Sequence, residues 1–132
     1  MEKILITGGS GFIGTNLIAY LLIKNTYCLL NLDREMPKIT EHQSIWKQVD
    51  LCDKDALKKI VIDFSPEYVI HLAARTDLRG KELKDYDTNM LGVSNLLDVL
   101  ELIPNLKRVI FASSMYVCIP GYIDRKSTRL NS

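Results

Sequence analysis

The sequence predicts an α/β fold, a doubly wound parallel sheet that stops after about five strands. Short apolar runs with the length of buried strands alternate with longer segments of helical periodicity. A glycine-rich stretch stands where the first strand passes into the first helix. With 132 residues, of which 47% are hydrophobic and 25% charged, the chain is long enough for one globular core. Crossover helices are therefore expected on both faces of one sheet.

Each element follows from its own pattern. Residues 3–7 (KILIT) are apolar throughout, as in a strand that is buried on both faces. Residues 12–24 are expected to pack on the sheet through Ile13, Leu17, Ala19, Tyr20, Leu21 and Ile23. Residues 53–64 are amphipathic and begin with acidic residues, as the helix dipole prefers. The remaining predicted strands are 28–33, 45–50, 68–74 and 108–114, with 45–50 the weakest, and a long helix is predicted at 87–103.

Composition excludes several functions. A net charge of +1 gives no field that would attract nucleic acid or an anionic membrane surface. No apolar run approaches the roughly 20 residues of a membrane span, and the N-terminus has no signal-peptide layout, so we expect a cytoplasmic protein. Cys28, Cys52 and Cys118 are far apart in the sequence, which predicts buried free thiols rather than a disulfide or a metal site.

The glycine-rich stretch TGGSGFIG occupies residues 7–14. Its glycines fit G-x-x-G-x-x-G from Gly8, or G-x-G-x-x-G from Gly9, and both registers share Gly11 and Gly14. The early glycine would permit a tight turn, Gly11 would let the backbone approach a pyrophosphate at the helix N-terminus, and Gly14 would allow close packing of helix and strand. The candidate dinucleotide-binding residues here are Gly8, Gly11, Phe12, Ile13 and Gly14; the alternative is a plain strand-to-helix turn.

Asp33 ends the second predicted strand, where a carboxylate can accept hydrogen bonds from the hydroxyls of the adenosine ribose. The same carboxylate would repel a 2′-phosphate, which favours NAD over NADP. Arg34 is the next residue and keeps NADP open, because a guanidinium can bind that phosphate.

Several motifs occur in the order seen in one family. They are TGGSGFIG, Asp33, VDLCD (49–53), HLAA (71–74), NMLGVSNLL (89–97) and FASS (111–114). The set resembles the extended short-chain dehydrogenases of the NAD-dependent epimerase/dehydratase family, which act on nucleotide sugars. The resemblance implies a Rossmann-like NAD-binding domain over residues 1–123, a nucleotide-sugar substrate for the intact enzyme, and leaves a homodimer of the full-length protein open.

The resemblance also implies roles for individual residues. Asp50 and Leu51 would contact the adenine, while Leu72, Ala73 and Ala74 would line the cofactor cleft after the fourth strand. Asn89 would brace the active site from the long helix. The alternatives are a helix cap for Asp50, a core position with a satisfied hydrogen bond for His71, and a polar helix face for Asn89.

Ser114 is the residue to which the resemblance assigns a catalytic role, hydrogen bonding to the substrate hydroxyl and to the catalytic tyrosine. Val117 identifies Ser114 as this serine, because in the family motif S-S-x-x-V-Y-G the serine stands three positions before the valine. The next two residues are Met115 and Tyr116, where 4,6-dehydratases commonly have an acidic pair, so an epimerase or a 4-keto reductase is favoured. Cys118 and Ile119 replace the usual Tyr-Gly, and a helix-capping serine is the alternative for Ser114.

The catalytic tyrosine and lysine of the family, Y-x-x-x-K, have two literal matches. Tyr20 and Lys24 lie in the first helix, away from the strand ends where ligands bind, and Tyr122 and Lys126 follow Ser114 too closely. Neither pair is expected to be catalytic, so this stretch of chain alone should not convert substrate. A redox-sensing regulator that binds a dinucleotide without catalysis is the competing function.

The last nine residues, DRKSTRLNS (124–132), resemble the in-frame translation of a common sequencing adapter. We therefore expect the native part of this sequence to end at Ile123. The remaining catalytic residues would be encoded further along the gene. An ordinary polar tail is the alternative, and codons that differ from the adapter would establish it.

Overall fold

A computed structural model describes residues 1–73 and 87–112 of the chain. This part forms a parallel sheet of five strands in the order β3-β2-β1-β4-β5, which confirms the predicted fold class. Leu5 in the central strand pairs with Leu30 on one side and with Val69 on the other, and Val69 pairs with Val109. The strands are β1 (Glu2–Thr7), β2 (Tyr27–Asp33), β3 (Trp46–Gln48), β4 (Tyr68–His71) and β5 (Arg108–Phe111).

Three α-helices connect the strands, together with a 3-10 helix at Thr40–Ile45 that the sequence did not predict. Asp53 caps the second α-helix by accepting a hydrogen bond of 3.2 Å from the Ala56 N–H. Strand β4 is shorter than predicted because the chain leaves the ladder after His71. The α-helices are α1 (Phe12–Lys24), α2 (Lys54–Phe64) and α3 (Asp87–Leu100).

The core lies in two layers, one on each face of the sheet. On one face Leu57 of α2 and Leu96 of α3 are fully buried against β1, β2 and β4. On the other face Ile18 and Leu21 of α1 pack against Ile6 and its neighbours. The sheet is thus covered from both sides, as a doubly wound topology requires.

The predicted packing face of α1 is partly wrong. Ile13, Tyr20 and Ile23 are exposed, whereas Ile18, which was not predicted, is completely buried. The helix is apolar over most of its circumference, so periodicity alone does not distinguish the face that meets the sheet.

The prediction of buried cysteines is also wrong for the two that the structure describes. Cys28 is exposed and Cys52 is half-buried, and neither forms a disulfide with another described residue. Cys28 pairs with Lys3 in the first rungs of the sheet, where β2 has not yet entered the core. Cys118 lies outside the described residues.

The terminal strand β5 retains apolar exposure, with Ile110 51% and Phe111 42% accessible to solvent. Within residues 1–73 and 87–112, none of the helices has the length and apolarity needed to cross a membrane.

Candidate functional site

The turn between β1 and α1 lies at the carboxyl end of the sheet, against the chain that leaves β4. Gly8 has a φ of +73°, which favours glycine. A Cβ at Gly8 would stand 2.6 Å from the backbone nitrogen of Ala73, so a larger residue is excluded on steric grounds as well. The turn is thereby fixed against the end of β4.

The other two motif glycines differ in what surrounds them. A Cβ at Gly14 would stand 2.4 Å from the Cα of Gly9, so helix and turn are in direct backbone contact there. At Gly11 the nearest atom to an added Cβ is the Gly8 carbonyl oxygen at 3.5 Å, an ordinary contact. The packing of the described chain therefore requires glycine at position 14, while at Gly11 it leaves an open space of the kind that a close ligand would use.

The N-terminus of α1 is electrostatically suited to an anion. Gly11 is its N-cap residue, no side chain caps this end, and the first turn contains no acidic residue. The positive end of the helix dipole therefore remains available. Phe12 and Ile13 begin the helix and are 85% and 64% exposed, so this turn faces solvent.

The carboxylate of Asp33 joins the end of β2 to the glycine turn. Its Oδ2 accepts a hydrogen bond of 2.9 Å from the Ser10 N–H, and its Oδ1 accepts one of 2.9 Å from the Glu35 N–H. Each carboxylate oxygen can accept a second hydrogen bond. The carboxylate is thus oriented by the main chain and keeps the capacity to bind hydroxyl groups.

Asn31 supports the same turn, a role that was not predicted from the sequence. It is fully buried in β2, and its Oδ1 accepts a hydrogen bond of 2.8 Å from the Gly9 N–H while its Nδ2 donates to the Ser10 Oγ at 3.2 Å. The signal in the sequence was a lone amide inside the apolar run LLNL, because a buried polar group needs partners.

Arg34 and Asp50 meet beyond the ends of β2 and β3. The Arg34 Nη1 lies 3.9 Å from the Asp50 Oδ2, and the Asp50 Oδ1 accepts a hydrogen bond of 2.9 Å from the Cys52 N–H. The helix-cap alternative for Asp50 is wrong, since Asp53 caps α2. Burial raises the pKa of the Cys52 thiol, and the adjacent Asp50 carboxylate raises it further.

Leu51 is held by helix α3. Its carbonyl oxygen accepts a hydrogen bond of 2.8 Å from the Asn95 Nδ2, and a Cβ at Gly92 would lie 3.2 Å from the Leu51 Cβ. Asn95 is almost completely buried and was not singled out in the sequence, although it lies in the NMLGVSNLL motif. The candidate adenine segment is therefore positioned by close contact with α3.

His71 occupies a buried position beneath the glycine turn. The Thr7 Oγ1 lies 2.7 Å from the His71 Nδ1 in a hydrogen bond, and it also accepts the Ala73 N–H at 3.3 Å. The Leu72 N–H donates to the Thr7 carbonyl oxygen at 2.9 Å and lies 3.2 Å from the Thr7 Oγ1. Burial lowers the pKa of His71, which agrees with the core alternative for this residue.

The structure brings most of the predicted site residues together at the carboxyl ends of the strands. The glycine turn contacts Asp33 through Ser10 and packs against Ala73, which directly follows Leu72. Asn89 is partly buried in the first turn of α3. Ala74 and the predicted catalytic Ser114 lie outside the described residues, as do Tyr122 and Lys126.

Tyr20 and Lys24 lie near the C-terminal end of α1, far along the helix from the glycine turn at its start. The Lys24 Nζ lies 5.0 Å from the centroid of the Tyr20 ring, a cation–π contact on an exposed surface. The described residues contain no group of three His, Cys, Asp or Glu side chains that could hold a metal ion.

The parallel sheet with its glycine turn and acidic residue at the end of β2 defines a Rossmann-like α/β protein. More particularly, the chain belongs to the NAD dependent epimerase/dehydratase family, which it matches over residues 4–129. That range extends into the 124–132 segment. The family consists of NAD-dependent enzymes, and the resemblance inferred from the motifs is thereby confirmed.

Individual relatives agree with this assignment. The chain is 31% identical over 110 residues to a dTDP-glucose 4,6-dehydratase of Neisseria meningitidis serogroup B, covering 74% of the chain and 31% of the relative. A UDP-glucose 4-epimerase of Thermotoga maritima, solved with UDP-glucose, is 30% identical with a TM-score of 0.74, covering 85% of the chain and 38% of that protein.

A UDP-glucose 4-epimerase of Thermus thermophilus, solved with NAD, is 29% identical with a TM-score of 0.74, covering 85% of the chain and 37% of that protein. The chain spans about a third of the length of the curated relatives that it matches.

Proposed function

We propose that this chain is the NAD-binding part of a nucleotide-sugar epimerase or 4-keto reductase. The observation that carries the proposal is the Asp33 carboxylate, which two main-chain N–H groups orient beside the glycine turn and which can still accept further hydrogen bonds. The relatives support it, because they include an epimerase solved with NAD and another solved with UDP-glucose.

The described residues fit such a cofactor at three points. The open space at Gly11 and the uncapped start of α1 suit a pyrophosphate, with Phe12 and Ile13 at its side. Asp33 would bind the ribose hydroxyls. Asp50 and Leu51 would contact the adenine, and Gly8, Leu72 and Ala73 would form the floor of the cleft. Ala74 and Asn89 complete the proposed set.

NAD is proposed in preference to NADP. The carboxylate of Asp33 would repel a 2′-phosphate, and Asp50 places a second negative charge next to Arg34. The bound nicotinamide would supply reversible hydride transfer with a carbinol of the sugar. Ser114 is proposed to orient the sugar hydroxyl, with the tyrosine base supplied by chain outside these 132 residues.

Dehydration is the second candidate, because the dTDP-glucose 4,6-dehydratase of Neisseria meningitidis is among the relatives. Met115 and Tyr116 favour the epimerase or reductase instead, since neither side chain can serve as the carboxyl acid or base that eliminates water. Product analysis of the full-length enzyme with a nucleotide sugar distinguishes them: a 4-keto-6-deoxy product would establish dehydration.

The limits of the domain are also proposals. We propose that residues 1–123 are native and that 124–132 are a translated adapter, which the codons of the gene will test. A homodimer of the full-length protein and a cytoplasmic location are proposed as well. Cys28 and Cys52 form no disulfide with another described residue, which is compatible with a reducing compartment.

Titration of the full-length protein with NAD tests the proposed function. Asp33→Ala should weaken binding about tenfold or more, because both ribose hydroxyls lose their acceptor. Asp98→Ala is the matched control, since it removes a carboxylate of α3 that is half exposed and paired with Lys54. Thermal melts of both variants separate lost binding from lost folding. Unchanged NAD affinity in a folded Asp33→Ala variant would remove the assigned ribose role.

A further inference from the structure

Arg34 and Asp50 form an ion pair between the segments that follow two neighbouring strands, β2 and β3. The Asp33 carbonyl accepts hydrogen bonds from the Trp46 Nε1 at 2.9 Å and from the Val49 N–H at 3.3 Å. The Arg34 carbonyl accepts one of 3.1 Å from the Gln48 Nε2. The backbone that carries the Arg34 side chain is therefore fixed to β3 and to the segment that leads to Asp50.

The carboxylate of Asp50 is oriented by its own turn. Its Oδ1 accepts the Cys52 N–H at 2.9 Å, and its Oδ2 lies 3.9 Å from the Arg34 Nη1. Asp33, although adjacent to Arg34 in sequence, directs its two oxygens to the N–H groups of Ser10 and Glu35. Among the described residues, the acidic partner of Arg34 is therefore Asp50.

The position of Arg34 directly after Asp33 matters for cofactor choice. A guanidinium beside the ribose-binding carboxylate is the group that could neutralise a 2′-phosphate, because it donates to phosphate oxygens in a planar fork. A nearby carboxylate offsets that charge and competes for the same N–H donors. The structure contains such a carboxylate in Asp50.

We propose that Asp50 withholds Arg34 from the 2′ position of the adenosine ribose, so that the Arg34–Asp50 pair acts with Asp33 to favour NAD over NADP. This inference rests on the proposed function, since it presumes that a dinucleotide binds at this edge. Arg34 and Asp50 are specificity-determining residues in this arrangement, and Asp50 has a second role besides its proposed adenine contact.

The expected effect is modest because the pair is exposed, with side-chain accessibilities of 67% for Arg34 and 49% for Asp50. Exposed ion pairs correspond to changes of roughly two- to fivefold in an equilibrium constant. The quantity to measure is therefore the ratio of NADP affinity to NAD affinity. Asp50→Asn weakens the adenine contact for both cofactors alike, and this loss cancels in the ratio.

The experiment is a calorimetric titration of the full-length protein with NAD and with NADP at low salt. Four variants are compared with the unchanged protein: Asp50→Asn, Arg34→Gln, the double variant, and Asp98→Asn as a control. Asp98 is matched to Asp50, because it also is a half-exposed aspartate with a cationic partner, Lys54, 2.8 Å away, and among the ion pairs of the described residues it does not contact Arg34.

We expect Asp50→Asn to raise the ratio of NADP affinity to NAD affinity about two- to fivefold. Asp98→Asn should leave this ratio unchanged. The double variant should have the same ratio as Arg34→Gln. An Asp50→Asn ratio equal to that of Asp98→Asn would overturn the proposal. An equal rise in the Arg34→Gln background would also overturn it, because the effect would then come from the carboxylate alone.

The outcome for the unchanged protein separates the two proposals. If it binds neither cofactor, the proposed function fails and this inference fails with it. If it binds NADP as tightly as NAD, dinucleotide binding stands and the withholding of Arg34 is overturned. Raised salt should diminish the effect of Asp50→Asn, since screening weakens exposed charge pairs.

Discussion

The two ends of the sheet carry charged side chains in opposite arrangements. At the amino ends of the strands, the Lys107 Nζ lies 3.3 Å from Glu2 and 3.2 Å from Glu67, so one ammonium group is shared by two carboxylates. At the carboxyl ends, both oxygens of Asp33 accept main-chain N–H groups, whereas Asp50 accepts one N–H and faces Arg34.

The difference distinguishes a closed cluster from a surface prepared for a ligand. A carboxylate that is paired with lysine has its charge compensated and its partner fixed. A carboxylate that accepts one N–H at each oxygen is oriented but keeps its charge and a second acceptor site at each oxygen. The carboxyl end therefore has the unused hydrogen-bonding capacity that the proposed cofactor site needs.

The sharpest test of that difference uses two glycines of the same turn. Gly14→Ala places a Cβ 2.4 Å from the Gly9 Cα, and backbone cannot move as a flexible side chain can. We expect a loss of about 3 kcal/mol or more in the free energy of unfolding, well above the roughly 1 kcal/mol that alanine gains in helix propensity. Urea denaturation measures this loss.

Gly11→Ala is the matched variant, because its Cβ would meet only the Gly8 carbonyl oxygen at 3.5 Å. It should lose at most about 1 kcal/mol of stability, because alanine is a poorer N-cap than glycine, and bind NAD about tenfold or more weakly, because the methyl group fills the space beside the proposed pyrophosphate. Normal NAD binding by Gly11→Ala would contradict the use of that space by a ligand.

A smaller effect is expected from single hydroxyl groups at the two ends of the sheet. Thr7→Val retains the shape of Thr7 but leaves the Ala73 N–H and the His71 Nδ1 without the Thr7 Oγ1. Because these groups are largely buried, the free energy of unfolding should fall by about 2 kcal/mol.

Tyr68→Phe is the comparison at the amino end, where the Tyr68 hydroxyl donates to Glu2 at 3.0 Å in a partly exposed position. Water can replace that bond, so its loss should cost less than about 1 kcal/mol. Urea denaturation of both variants checks the difference, and equal losses would contradict the view that only the carboxyl end depends on buried hydrogen bonds.

Much of this architecture could be predicted from the sequence because local residue patterns determine it. Apolar runs specify the strands, and the position of TGGSGFIG after the first strand specifies the turn. Asp33 followed from its place at the end of the second run. These features depend on residues that are close together in the chain, so no tertiary knowledge is needed to find them.

The remainder depends on contacts between distant segments. Asn31 binds the Gly9 N–H across 22 residues and Thr7 binds His71 across 64. A buried amide is visible in the run LLNL, but nothing in the sequence identifies the partner in either bond. The Arg34–Asp50 pair arises because β2 and β3 end side by side. The buried face of α1 was mistaken for a similar reason, since the sheet, rather than the helix pattern, selects Ile18.

The last predictions concern the pH dependence of stability, because groups at the two ends of the sheet should affect stability in different pH ranges. Burial lowers the pKa of His71 below the ordinary 6.5, so the unfolded chain binds a proton that the folded chain resists. Stability should therefore fall as the pH drops below about 6.5, with a slope of at most about 1.4 kcal/mol per pH unit.

At the amino end, the hydrogen bond from Lys107 lowers the pKa of Glu67 below 4.5. Its contribution is present above about pH 4.5 and is lost as the pH falls further, because the unfolded carboxylate takes up its proton first. His71→Asn, whose Oδ1 can still accept from Thr7, should flatten the stability profile between pH 5 and 6.5. Lys107→Met should leave that interval unchanged and alter only the more acid part. Urea denaturation across this pH range measures both, and an unchanged slope in His71→Asn would show that another group titrates there.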